Sequence, residues 1–187
     1  MAGSNVAPDG RPLADVPEAV LDSTVLHRDH EFDAGSKAEV GSLTAAQVGN
    51  LVLLGKVWGF LKYHHPAVVA GTRHWDYDLF RVLPAVCAAR DDVAGRKVLA
   101  AWVASLGEVP PCDSCVKAPG ARPVLPPLGW LSDRRRLGAD LSARLSTVYA
   151  RRPGLKEQFY ISLVPGVGNP SFNHESAYAD LREPDAG

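Results

Sequence analysis

The stretch Gly49-Asn50-Leu51-Val52-Leu53-Leu54-Gly55-Lys56-Val57-Trp58-Gly59-Phe60-Leu61-Lys62-Tyr63-His64-His65-Pro66 decides the fold. Wound as a helix, it places Val48, Leu51, Val52, Leu54, Trp58 and Leu61 on one broad arc. Leu53, Val57 and Phe60 extend that arc around most of the circumference. A helix apolar on most sides is expected to be buried. Gly49, Gly55 and Gly59 each cost about 1 kcal/mol of helix stability relative to Ala, so tertiary packing must compensate. Gly55 and Gly59 are expected to form a smooth face for a close neighbour. The stretch is the central helix, and Trp58 is its expected core anchor.

Working outward, Thr44 and Gln47 have capping-box spacing at its start, and Pro66 stops it. A second helix is expected from about Trp75 to Ala89, with Leu79, Phe80, Leu83 and Val86 inward. Asp76 and Asp78 sit in its first turn, where the helix dipole favours anions. Pro84 should kink or split it. A third helix, Asp92 to Leu106, carries Val98, Leu99, Trp102, Val103 and Leu106 on one face and ends at Gly107.

Residues 107–131 read as loop, because Pro110, Pro111, Pro119, Pro123, Pro126 and Pro127 interrupt any regular structure. A fourth helix follows from about Asp133 to Ala150, with Leu137, Leu141, Leu145 and Val148 in one stripe. Arg151 and Arg152 close it at the negative end of the dipole. Gln158 to Val164 reads as a strand bounded by Pro165 and Gly166. The expected fold is mainly α: a four-helix orthogonal or bundle-like domain over 43–187, with a short β element near the C-terminus. An extended lead-in precedes it over 1–42, in which Val25–Arg28 makes at most a short strand. The expected core is Leu51, Leu54, Trp58, Leu61, Phe80, Leu83, Trp102, Leu141 and Leu145.

Composition bounds the function. The chain has 187 residues, 46% of them hydrophobic, enough for one domain with a core of its own. Its net charge of −1 gives no reason to expect nucleic acid or an anionic membrane as partner. No run approaches the roughly 18 apolar residues of a membrane span.

VWGFLKYHHP at Val57–Pro66, together with GTRHWDYDLFRVLP at Gly71–Pro84, resembles the amino-terminal helical region of bacterial S41 serine peptidases, also called carboxy-terminal-processing or tail-specific peptidases. The resemblance continues through Trp102 and the Cys112–Cys115 pair to GNPSF at Gly168–Phe172, covering roughly residues 20–187. It implies a non-catalytic accessory domain that packs on the protease core and helps substrate access or assembly. It implies, too, an upstream β-rich region whose end is DGRPLADVPEAV, and a downstream peptidase domain as partner. The family's nucleophilic serine and its base belong to that downstream domain, so no catalytic residue is assigned here. Relatives of this kind are exported to the periplasm or beyond, although Met1-Ala2-Gly3-Ser4 does not open a signal peptide.

Cys112 and Cys115 form CxxC framed by prolines, without the βαβ setting of a thioredoxin-like redox site. For an exported protein a local disulfide between them is one reading, with Cys87 a buried thiol. A zinc site that recruits Cys87 and His74, or His64 or His65, is another, as are free thiols. No cofactor is expected. His27 and His30 flank Asp29 and Glu31 with a spacing that suits a metal, though a solvated turn explains them as well.

His64 and His65 point in different directions from a helix end and read as architecture. Asp76 and Asp78 face apart on a helix, which argues against an acid/base pair. Serines 105, 132, 142, 146, 162 and 171 lack a GxSxG elbow. Arg134-Arg135-Arg136 reads as a solvated first turn. Two further readings stay open. One is a stand-alone peptide- or protein-binding module in which Phe159, Tyr160, Ile161, Leu163 and Phe172 offer a strand edge. The other is a small zinc or thiol-redox protein built on Cys112 and Cys115.

Overall fold

The computed structural model describes residues 24–36, 38, 40–111, 128–153, 158–163 and 170–172. Its helices are α1 (Val25–Arg28), α2 (Ala45–His64), α3 (Pro66–Val69), α4 (Trp75–Ala88), α5 (Asp92–Ser105), α6 (Arg134–Leu137) and α7 (Ala139–Ala150). A 3₁₀ turn, Gly129–Ser132, precedes α6. Strands β1 (Ile161–Leu163) and β2 (Pro170–Phe172) pair antiparallel, with Ile161 opposite Phe172 and Ser162 opposite Ser171. The fold is mainly helical with a small two-stranded sheet towards the C-terminus.

Helix α2 is central: it packs against α4, α5 and α7. It starts in a complete capping box, since the Thr44 side chain accepts from the Gln47 N–H and Gln47 accepts from the Thr44 N–H. Leu54, Val57, Phe60 and Leu61 enter the core, where they meet Trp75, Val86, Leu99, Trp102, Leu141 and Leu145. Four expected core residues are less buried than the pattern suggested. Leu51, Trp58 and Leu83 are half-buried against the core. Phe80 belongs to a separate cluster, edge-on to Phe32 at 5.5 Å.

The phase of α4 explains the shift. Its buried positions are Trp75, Asp78, Val82 and Val86. A pattern reading turns a charged residue outward, whereas Asp78 is turned inward and neutralised there by two arginines. The helix also runs through Pro84 without splitting.

Other local expectations need correction. Val25–Arg28 is a single helical turn rather than a strand. The fourth helix is two, because Gly138 at φ 74 breaks the chain between α6 and α7. Such a conformation suits glycine and ends the hydrogen-bond ladder. The strand expected over Gln158–Val164 is shorter, and its first three residues lie on the helical body instead.

Among the described residues, no atom lies within 4 Å of where a Cβ would stand on Gly49, Gly55 or Gly59. The close approach expected at Gly55 and Gly59 is made elsewhere. A Cβ on Gly95 of α5 would lie 2.1 Å from Asn50 Oδ1. Asn50 is buried and donates from Nδ2 to the Ala89 and Asp91 carbonyls, each at 3.2 Å. The α2–α5 contact closes through that side chain.

Candidate functional site

The two sequence blocks of the central region meet where α2 passes the start of α4. His74 caps α4, its Nδ1 accepting from the Tyr77 N–H at 3.3 Å. Trp75 follows at the helix start, fully buried and stacked on Trp102 with ring centroids 5.2 Å apart. Its indole N–H donates to the Trp58 carbonyl at 3.1 Å, and the Trp58 indole donates to the Trp75 carbonyl at 3.2 Å.

One turn further along α2 stands Lys62, itself 4% exposed. Its Nζ lies 5.1 Å from the Trp58 ring centre, 4.8 Å from that of Tyr160 and 4.0 Å from Asp76 Oδ1. Two aromatic faces and a carboxylate together replace the water that a buried ammonium loses.

Asp78, 1% exposed, is the second charged group of this junction. Arg73 pairs with it through Nε and through Nη2, the latter 3.2 Å from Oδ1. Arg81 donates to Oδ1 from Nη1 at 2.8 Å. The other side of Arg81 holds the lead-in, donating to Glu31 at 2.7 Å and to Asp29 at 2.6 Å. Partial burial works against the Arg81 cation, but these carboxylates outweigh it and raise its pKa. Asp29 responds in kind: burial alone would raise its pKa, and the Arg81 hydrogen bond brings it below the usual value.

Tyr77 and Phe32 complete the clamp. The Tyr77 hydroxyl donates to Asp33 at 2.5 Å, and the Phe32 ring stands edge-on to Tyr77 at 5.4 Å. Hydrogen bonding to the anion pushes the Tyr77 hydroxyl up to about 12 and holds Asp33 below its usual range. His30 sits 2.9 Å from Asp33. His30 and His27 are thus part of a surface turn. Among the described residues, no group of three or more His, Cys, Asp or Glu is placed to hold a metal.

The histidine pair is divided between two tasks. His64 donates from Nδ1 to the Phe60 carbonyl at 2.7 Å and stacks on the Phe60 ring. His65 is buried at the joint of α2 and α3, where its N–H closes α2 on Leu61 and its Nδ1 accepts from the Ala67 N–H. Burial, helped by the Arg73 cation, pulls its pKa down to about 4, so the imidazole is neutral. A neutral imidazole serves the acceptor role; a charged one would help only the helix dipole. Burial lowers the pKa values of His64 and His74 as well.

The segment after α7 is strapped across this junction. The Phe159 N–H donates to the Val69 carbonyl at 2.8 Å, and Gln158 Nε2 to the Tyr63 carbonyl at 3.3 Å. The Tyr160 hydroxyl accepts from the Trp75 N–H and donates to the Arg73 carbonyl, both at 3.2 Å. Phe159 lies against Gly71, where φ is +67 and a Cβ would stand 2.3 Å from the ring. Tyr160 is therefore core, and Phe159 is half-buried on the body. Ile161 is half-buried, and Phe172 remains 60% exposed. Leu163 is in β1, paired with Pro170.

Cys112 and Cys115 lie outside the described residues, so neither the disulfide nor the zinc reading meets the structure. Cys87 is a half-buried free thiol whose carbonyl accepts from Gln47 Nε2 at 2.6 Å. The Ser105 and Ser142 hydroxyls donate to backbone carbonyls, of Trp102 and Leu131, each at 2.7 Å. Arg134, Arg135 and Arg136 are exposed, over a turn capped by Asp133.

The burial of Lys62 escapes a pattern reading because Tyr160 and Asp76 reach it from elsewhere in the sequence, whereas Asp78 is turned inward with partners only five and three residues away, Arg73 and Arg81. The signal that pointed to them was density of aromatic and charged types in WGFLKYHHP and HWDYDLFR. Among the described residues, no helix is long and apolar enough to cross a membrane. No protein-family model, curated protein or solved structure matches the chain.

Proposed function

We propose that this chain is the non-catalytic amino-terminal accessory region of an S41-like serine peptidase, packing on the protease core and helping substrate access or assembly. The observation that supports it is the use made of the distinctive residues. Trp58, Lys62, His65 and Trp75 lie at one junction and are committed to contacts that join helices or strap, while Asp78 is committed to Arg73 and Arg81. A region whose polar and aromatic residues serve architecture suits a scaffold for chemistry carried out elsewhere. On this reading the parent protein is exported and its peptidase domain follows.

The test is hydrolysis of unfolded casein and of peptides with apolar carboxyl termini. The chain of residues 1–187 should leave both intact, since peptidase chemistry needs an activated hydroxyl, a base and an oxyanion hole. Extended through a downstream peptidase domain it should cleave them, and lose that activity when the domain's nucleophilic serine becomes alanine. Robust hydrolysis by residues 1–187 alone would sink the accessory reading. A stand-alone binding module is the second reading, favoured by Phe172, 60% exposed at the end of the hairpin.

A further inference from the structure

The face of α2 turned away from the junction presents Ala45, Val48, Gly49, Val52 and Lys56 at helical spacing. Val48 and Val52 are 48% and 52% exposed, though the sequence pattern buries them. Ala45, Gly49, Val52 and Lys56 form one wall of a groove of about 280 Å³, with α5, Trp130 and α6 on the other side, and Val48 lies beside it on the open surface. Leu53, Trp130 and Leu137 give the groove an apolar floor, while Lys56, Arg96 and Arg136 line it against a single carboxylate, Asp92. The Arg96 guanidinium also donates to the Arg135 and Arg136 carbonyls at 3.3 and 3.5 Å, which fixes the basic turn beside the groove.

We infer that this groove is a docking site for an acidic amphipathic helix of a partner protein. Three cations against one carboxylate attract an anionic segment and repel a basic one. Val52, Leu53 and the Trp130 indole supply the apolar contact that charge alone does not. The row from Ala45 to Lys56 runs about 16 Å, or three helical turns, which matches a helix laid in a groove rather than a single side chain.

Gly49 carries the geometric part. It stands inside α2, where glycine is less favourable than alanine, and no described atom uses the space it leaves. That space lets a partner backbone come close to α2. The inference concerns the face opposite the Lys62–Asp78 junction and does not depend on the accessory-domain reading.

The test uses the full chain and three fluorescein-labelled helical peptides of about 18 residues, long enough to cover the row. One has a leucine stripe with glutamate flanks. The second has the same stripe with lysine flanks, and the third has glutamate flanks with serine in place of the stripe. By anisotropy the first should bind about tenfold or more tightly than either control and weaken with added salt. Gly49→Leu should weaken it about tenfold by filling the groove, with a melting temperature no lower than that of the parent chain. Lys56→Glu with Arg136→Glu should remove the preference for the acidic peptide.

Equal binding of the acidic and basic peptides, or no binding of any, would overturn the inference. So would unaltered binding by a folded Gly49→Leu chain. A concentration-dependent dimer in sedimentation that Gly49→Leu abolishes would assign the groove to a second copy instead.

Discussion

Trp58 and Trp75 exchange indole hydrogen bonds, each Nε1 donating to the other's carbonyl oxygen, at 3.2 and 3.1 Å. The pair ties the middle of α2 to the first residue of α4 across 17 positions of sequence.

The burden on the two tryptophans is unequal. Trp75 is fully buried and stacked on Trp102, whereas Trp58 is half-buried. Trp75→Ala is expected to cost about 3–5 kcal/mol in urea denaturation, the usual range for a buried aromatic. Trp58→Ala should cost less, and Trp58→Phe about 1 kcal/mol for the lost hydrogen bond. A larger loss at Trp58 than at Trp75 would return the anchor to α2.

Glycines on facing helices should respond in opposite senses. Gly55→Ala meets open space and should stabilise by about 0.5–1 kcal/mol. Gly95→Ala drives a methyl into Asn50, which two hydrogen bonds hold in place. It should destabilise by about 1–3 kcal/mol, as overpacking does. Thermal melts of the two variants decide the matter, and equal responses would remove the Asn50–Gly95 contact from the α2–α5 interface.

Acid should loosen the α2–α3 joint. Burial and the Arg73 charge lower the folded-state pKa of His65 to about 4, against an ordinary 6.5. The unfolded chain therefore takes up its proton first as pH falls. The stabilising contribution is complete above about pH 6.5 and is lost between there and about pH 4, on the order of 3 kcal/mol from this group. His64 and His74 shift in the same direction and add to the slope. His65→Asn keeps a cap acceptor without a titrating ring, so its stability should vary less over that interval. An unchanged slope would place the titration elsewhere.

Arg81 should separate docking of the lead-in from stability of the helical core. Arg81→Ala removes the hydrogen bonds to Asp29 and Glu31 but leaves Asp78 paired with Arg73. Hydrogen exchange at residues 29–33 should rise while α2 and α5 keep their protection. Asp78→Ala takes the carboxylate from Arg73 while Arg81 keeps Asp29 and Glu31, and should cost about 1–3 kcal/mol overall. Unaltered exchange at 29–33 in Arg81→Ala would show that Phe32 and Tyr77 hold the lead-in unaided.

Helix existence was legible in the sequence because its causes are local. The Thr44–Gln47 box, the run of apolar residues in α2, and the stripes Leu99–Trp102–Val103 and Leu141–Leu145–Val148 lie within a few turns of one another. So do the acidic first turn of α4 and the arginines after α7, where Arg152 donates to the Tyr149 carbonyl. Local spacing determines such features before any long-range contact forms.

The tertiary structure decided which faces those helices turn inward. Asp78 turns inward with the phase of α4, its arginine partners standing close to it in sequence, whereas Lys62 is buried because Tyr160 reaches it from near the far end of the chain. Tyr160 leaves the expected strand edge for the core because backbone groups of Arg73 and Trp75 meet its hydroxyl. The lead-in docks through Arg81 and Asp29, 52 residues apart. A charged or hydroxylated side chain reads as exposed when only its neighbours in sequence are considered. For Lys62 and Tyr160 burial becomes favourable once a distant partner replaces the lost water, and that partner arrives only with the fold.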